Sequence, residues 1–172
     1  MVQPATDSRE SAARPVAVGD VLGARTLGVV HSLTTADAAI LRRPLGPGPR
    51  RPPEYAELTD RRRLDDSQVR LLRGILTDPA SYWTGSPVYR RFPPRPGFAL
   101  RLRGSTGEAT VLVDLHNPGW EWFCGAETYW GFHFAGPQLA SLAKELFPEH
   151  ASPRRAAVWR KGAIEALGGG AS

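Results

Sequence analysis

An α+β fold, with an antiparallel meander sheet of four or more strands covered by two or three helices, is what this 172-residue sequence predicts. Three observations carry that expectation. Between Gly97 and Phe134 four short runs alternate apolar and polar side chains, and only a few turn residues separate them. On either side, Asp65 to Thr77 and Pro137 to Phe147 place apolar residues at helical spacing. The length suits one hydrophobic core, so a single domain over 16–167 is expected, with its densest part at 65–147.

Taken in order, residues 1–15 mix small, polar and charged types without period and read as a tail. Arg25 to Leu33 alternates, with Leu27, Val29, His31 and Leu33 on one side, and predicts a half-buried strand whose partner is PVAVGDVL. After the short apolar stretch AAIL, the Pro- and Arg-rich segment at 42–55 has no period and reads as a loop. Asp65 and Gln68 form a capping-box pair ahead of Val69, Leu72, Ile75 and Leu76, and Pro79 forces the helix to end near Thr77. A loop rich in Pro and Arg follows Tyr82.

The first sheet run, Gly97 to Arg103, sets Phe98, Leu100 and Leu102 against Arg101 and Arg103, whose side should be wet. Gly104 to Gly107 turns the chain into Ala109 to Leu115, and Asn117-Pro118-Gly119 turns it again. WEWFC and TYWGFHF are the third and fourth runs, joined through Gly125-Ala126-Glu127. Such short connections favour antiparallel neighbours. Pro137 opens a helix carrying Leu139, Leu142, Ala143, Leu146 and Phe147, which Pro148 stops. Ser152-Pro153 starts a last helix that ends at the Gly168 run, leaving 168–172 as a second tail.

Composition narrows the class. A single cysteine, Cys124, excludes an internal disulfide framework and any multi-cysteine metal site. No run approaches the roughly 18 apolar residues of a membrane span, and the N-terminus lacks a signal-peptide core, so a cytoplasmic protein with no membrane partner is expected. The net charge of +5 is uneven: residues 42–103 hold fourteen Arg against six acids. All but Lys144 and Lys161 of the 22 basic residues are Arg. That bias suits bidentate recognition of phosphate or carboxylate, and it also follows from a GC-rich codon supply.

DDSQVRLLRGILTDPASYW, PRPGFALRLRGSTGEATVLVDL and FAGPQLASLAKELFP together resemble a family of small bacterial proteins with no assigned activity. The resemblance covers Asp65 to Phe147 and implies a helix, a compact sheet and a closing helix, often behind a lipoprotein-type leader. The family pattern has cysteines before the first sheet strand and after the second, where this chain reads RRFPP and VDLHNP. Any disulfide or metal role of those cysteines is absent here.

Asp114, His116, Cys124 and His133 are the residues with the chemistry for catalysis or metal binding. Asp114 and His116 share a strand face and could serve as acid and base, or with His133 as three zinc ligands. Cys124 with a histidine is the other reading, a thiolate nucleophile. These would make the chain a metal- or Cys/His-dependent hydrolase. The competing explanations are a polar strand end that satisfies turn backbone groups and a cysteine buried as a small hydrophobe. The reading adopted assigns no catalytic residue, metal or cofactor.

Seven aromatics fall between Trp120 and Phe134. Alternation puts Trp120 and Trp122 on one side of their strand with Phe123 on the other, and Trp130, Phe132 and Phe134 opposite Tyr129 and His133. Exposed aromatics beside arginines are what a protein interface uses, so Trp120, Trp122, Trp130, Arg101 and Arg103 form the expected interaction surface. The function expected is a non-enzymatic protein-binding or accessory module. Nucleic acid bound through the Arg-rich middle is the alternative, though no recognised motif for it is present.

Overall fold

The structure, a computed structural model, describes residues 17–42, 55–82, 96–115 and 119–150. In chain order its main elements are helices α1 (Val18–Val21) and α2 (Ala24–His31), strands β1 (Leu33–Ile40) and β2 (Arg62–Arg63), and helix α3 (Asp66–Thr77). Then come strands β3 (Phe98–Gly104), β4 (Gly107–Val113), β5 (Gly119–Cys124) and β6 (Glu127–Phe132), and helix α4 (Gly136–Leu146). The fold is α+β. Its sheet is antiparallel throughout, in the order β2-β1-β3-β4-β5-β6.

The expected meander is β3 to β6, and the larger option holds because β1 and β2 add to its β3 edge. Two-residue loops join β3 to β4 and β5 to β6. Gly125 opens the second of these at φ +61, a backbone angle that a residue with a Cβ resists. Leu100 pairs across to Val111, Val111 to Trp122 and Trp122 to Tyr129, a row of apolar side chains running over four strands. The neighbouring row runs from Phe98 through Val113 to Trp120. Against these rows pack Val29 and Val30 of α2, Leu72 and Leu76 of α3, Leu139 and Leu142 of α4, and Phe147.

Local chemistry sets the helix ends. The Asp65 carboxylate accepts from the amides of Ser67 and Gln68 at 2.8 and 2.9 Å, while the Gln68 side chain accepts from the Asp65 amide at 3.0 Å. Gln68 also donates to Glu145 at 2.7 Å and so ties α3 to α4. The chain is extended at Asp78, ahead of Pro79, and α3 stops there.

Two expectations are corrected near the N-terminus. Arg25 to Leu33 is not a strand: Ala24–His31 is helical, and the proposed partner PVAVGDVL holds the short helix α1. Thr26, Val29 and Val30 are buried at helical spacing, which a nine-residue segment can satisfy together with an alternating pattern. The deciding group lies elsewhere in the chain. Glu127 of β6 accepts from the amides of Arg25 and Thr26 at 3.2 and 3.0 Å and from the Thr26 hydroxyl at 2.8 Å, capping α2 from the sheet. Gly23 permits this approach, since a Cβ there would lie 2.5 Å from the carboxylate. The true first strand is β1, of which the sequence pattern showed only the apolar end AAIL.

The two ends of the Pro- and Arg-rich loop are paired, with the Arg42 amide donating to the Ala56 carbonyl at 2.8 Å. Residues 43–54 between them lie outside the described residues, as do the tails 1–15 and 168–172, the segment 83–95, His116 and the expected last helix. No helix among the described residues is long and apolar enough to cross a membrane.

Candidate interaction surface

The helices cover one face of the sheet, and the opposite face carries the polar half of each strand. On it the register lines up Arg63, Asp37, Arg101, Thr110, Phe123 and Thr128, and beside them Ala39, Ala99, Leu112, Glu121 and Trp130. Leu41, Tyr55, Ala99, Leu112 and Phe123 form a small apolar cluster there. A groove of about 200 Å³ runs over this cluster, with Leu41, Tyr55, Ala99 and Leu112 among its apolar lining and Asp37, Glu57, Arg61, Arg101 and Thr110 around them.

Its charges are mostly matched. The Arg103 guanidinium bridges Asp37 at 2.6 Å and Glu108 at 2.9 Å, and Arg61 binds Glu57 at 2.9 Å. These acids hold both guanidinium pKa values above their ordinary range. Asp37 stands directly opposite Arg101 on β1, yet its carboxylate is turned to Arg103. The side chain of Arg101, half-buried on β3, makes no hydrogen bond or ion pair among the described residues. Glu121, two strands further on, is only 8% exposed, and burial pushes its carboxyl above the usual range.

The structure divides the residues expected at the surface. Trp120 and Trp122 are 0% and 1% exposed and face the helices, their rings meeting edge to face at 5.4 Å. Both are core residues and cannot touch a partner of the folded chain. Trp130, 38% exposed, lies on the other face with Arg101 and Arg103, as the alternation along β6 requires. Phe134 beyond it is 46% exposed. Trp130 is three strands from Arg101, roughly 14 Å at ordinary strand spacing, so the two belong to one face but not one pocket.

Of the chemical candidates, Asp114 and His133 are fully buried and near each other at one end of the sheet. The Asp114 amide donates to Gly119 at 2.8 Å, and His133 bridges Tyr82 and packs its ring 5.0 Å from that of Trp120. Burial drives the His133 imidazole down to about 4, against the opposing pull of the Asp114 charge, so the ring is neutral at pH 7. Cys124 sits at the far end of β5, five residues from Gly119 and therefore roughly 17 Å away along the strand. A Cys124–His133 nucleophile pair is not formed. Among the described residues no three or more His, Cys, Asp or Glu side chains gather as a metal site.

Sequence reasoning missed Asp37, Tyr55, Glu57, Arg61, Thr110 and Glu121. Thr110 was accessible to it, since its parity follows from Val111 and Val113. Asp37 is not legible in the same way, because the alanines around it on β1 give no clear strand pattern.

No family model matches the sequence, and no curated protein matches it. Among solved structures the chain is similar to a "putative lipoprotein" from Clostridium perfringens, at 8% identity and a TM-score of 0.45, over 78% of this chain and 99% of that one.

Proposed function

We propose that this chain is a non-enzymatic binding or accessory module that docks another protein on the face of its sheet opposite the described helices. The observation that carries the reading is the groove, where an apolar floor adjoins the unmatched guanidinium of Arg101. Arginine and large aromatics dominate the energetic centres of protein interfaces, and Trp130 adds an exposed ring to the same face. Nucleic acid bound through the Arg-rich segment 42–103 is the alternative, and six of the fourteen arginines of that segment lie outside the described residues.

The test is affinity capture from native extract with and without nuclease across a salt series, using wild type, Arg101→Gln and Trp130→Ala. A stoichiometric protein that survives nuclease and is weakened at least tenfold by either substitution supports the reading. Recovery of nucleic acid alone, lost progressively as salt rises, overturns it in favour of the alternative.

A further inference from the structure

The groove on the face opposite the described helices has a size, a charge and a position that together define what it can hold. At about 200 Å³ it is below the roughly 300–1,000 Å³ of a site for a drug-sized molecule. It lies over β3, an interior strand hydrogen-bonded to β1 on one side and β4 on the other. An incoming segment therefore finds no free backbone edge there and must bind by its end or a side chain. The floor of Leu41, Ala99 and Leu112 takes a short apolar group. Arg101 supplies the one unmatched charge on the lining among the described residues, and Thr110, its cross-strand neighbour on β4, lines the groove beside it.

Resting on the protein-binding reading above, we infer that the groove captures the C-terminal carboxylate of a partner protein whose last residue is apolar. The Arg101 guanidinium accepts a planar carboxylate in a two-bond fork. Asp37 and Glu57 line the same groove and, although each is paired, oppose a second negative charge. The groove thus favours a monoanion over a dianion such as inorganic phosphate, and its apolar floor, rather than charge, separates a peptide terminus from the singly charged phosphodiesters of a nucleic-acid backbone.

Titration of the isotope-labelled full chain, followed by amide NMR, tests this with N-acetyl-L-leucine, N-acetyl-L-leucinamide and inorganic phosphate as probes. The carboxylate should shift the amides of Ala99, Arg101, Thr110 and Leu112 saturably, and its amide and phosphate should each bind at least tenfold more weakly. Arg101→Gln should weaken the carboxylate at least tenfold while leaving the unfolding midpoint unchanged. Equal affinity for acid and amide, tighter phosphate binding, or an unaffected Arg101→Gln variant overturns the inference. The two readings fail separately. A partner still captured by Arg101→Gln but lost with Trp130→Ala keeps the binding module and removes the carboxylate site. Carboxylate binding at Arg101 without any captured protein does the reverse.

Discussion

Replacing Trp122 with alanine is the sharpest test of how the aromatics are divided between the two faces. Trp122 lies in the row from Leu100 to Tyr129 and is 1% exposed, with Trp120 edge-on to it. A buried Trp removes about 150–250 Å² from water, and at about 25 cal/mol per Å² that corresponds to roughly 4–6 kcal/mol as an upper bound. Large-to-small changes at such sites cost about 3–5 kcal/mol. For a chain of this size the unfolding midpoint should therefore fall by roughly 6–20 °C. Trp122→Phe should cost less, because it keeps a ring in place and removes an indole N–H that is buried without an acceptor among the described residues. Trp130→Ala should cost under about 1.5 kcal/mol, since that side chain keeps much of its exposure. Urea unfolding followed by far-ultraviolet circular dichroism gives all three values. The assignment of faces is refuted if Trp122→Ala stays within about 1 kcal/mol of wild type, or if Trp130→Ala costs as much.

Three further outcomes concern titrating groups. Hydrogen bonds from Thr26 and Arg25 hold the Glu127 carboxyl below its ordinary 4.5, so the α2 cap contributes stability above that pH and loses it as pH falls toward the depressed value. Glu127→Gln should flatten this part of an acid-denaturation curve, and an unchanged curve would reject the cap. Burial lowers His133 from 6.5 to about 4, so the unfolded chain binds the extra proton between those values and stability should fall as pH drops from 6.5 to 4. NMR titration of the His133 ring checks it, and a midpoint near 6.5 would contradict the burial. Glu121 has the opposite sign: its raised pKa means stability is lost as pH rises through the folded value, so Glu121→Gln should raise the unfolding midpoint at pH 7. A lowered midpoint would mean that the carboxylate is held by a favourable partner.

The parts of the fold that were legible are those whose signal is local. Asp65 and Gln68 lie three residues apart, so the start of α3 could be read directly, and Pro79 and Pro148 mark the ends of α3 and α4. Strands β3 to β6 alternate and are joined by short turns, so both pattern and connection point the same way. What escaped depended on remote groups. The cap of α2 comes from Glu127, 101 residues from Thr26. β1 buries Ala36, Ala38 and Ala39, whose methyl groups give little hydrophobic contrast and whose intrinsic preference is helical. For the site, alternation separated Trp120 and Trp122 from Phe123, and Trp130 from Tyr129, but parity alone cannot say which set meets the helices. Arg101 and Arg103 were placed on a wet face by their own strand, while the acids that neutralise Arg103 come from β1 and β4.

That neutralisation applies to three of the 20 arginines, Arg61, Arg62 and Arg103. Clustered basic residues attract a polyanion only if their charge is uncompensated at the surface. In the described frame Arg61 is held by Glu57, Arg62 by Glu149 at 2.8 Å, and Arg103 by both Asp37 and Glu108. Arg62 also donates to the Leu146 carbonyl at the end of α4 and stacks over the Phe147 ring at 4.9 Å, so its charge closes a helix and covers an aromatic. These three arginines join strands and helices to one another, so their charge is taken up within the fold. Arg101 differs because the acid opposite it is already engaged elsewhere, and because its surroundings are apolar as well as ionic. The proposed carboxylate site rests on that combination, one guanidinium unmatched among the described residues beside a small groove with an apolar floor, which suits a terminal residue better than a phosphodiester backbone.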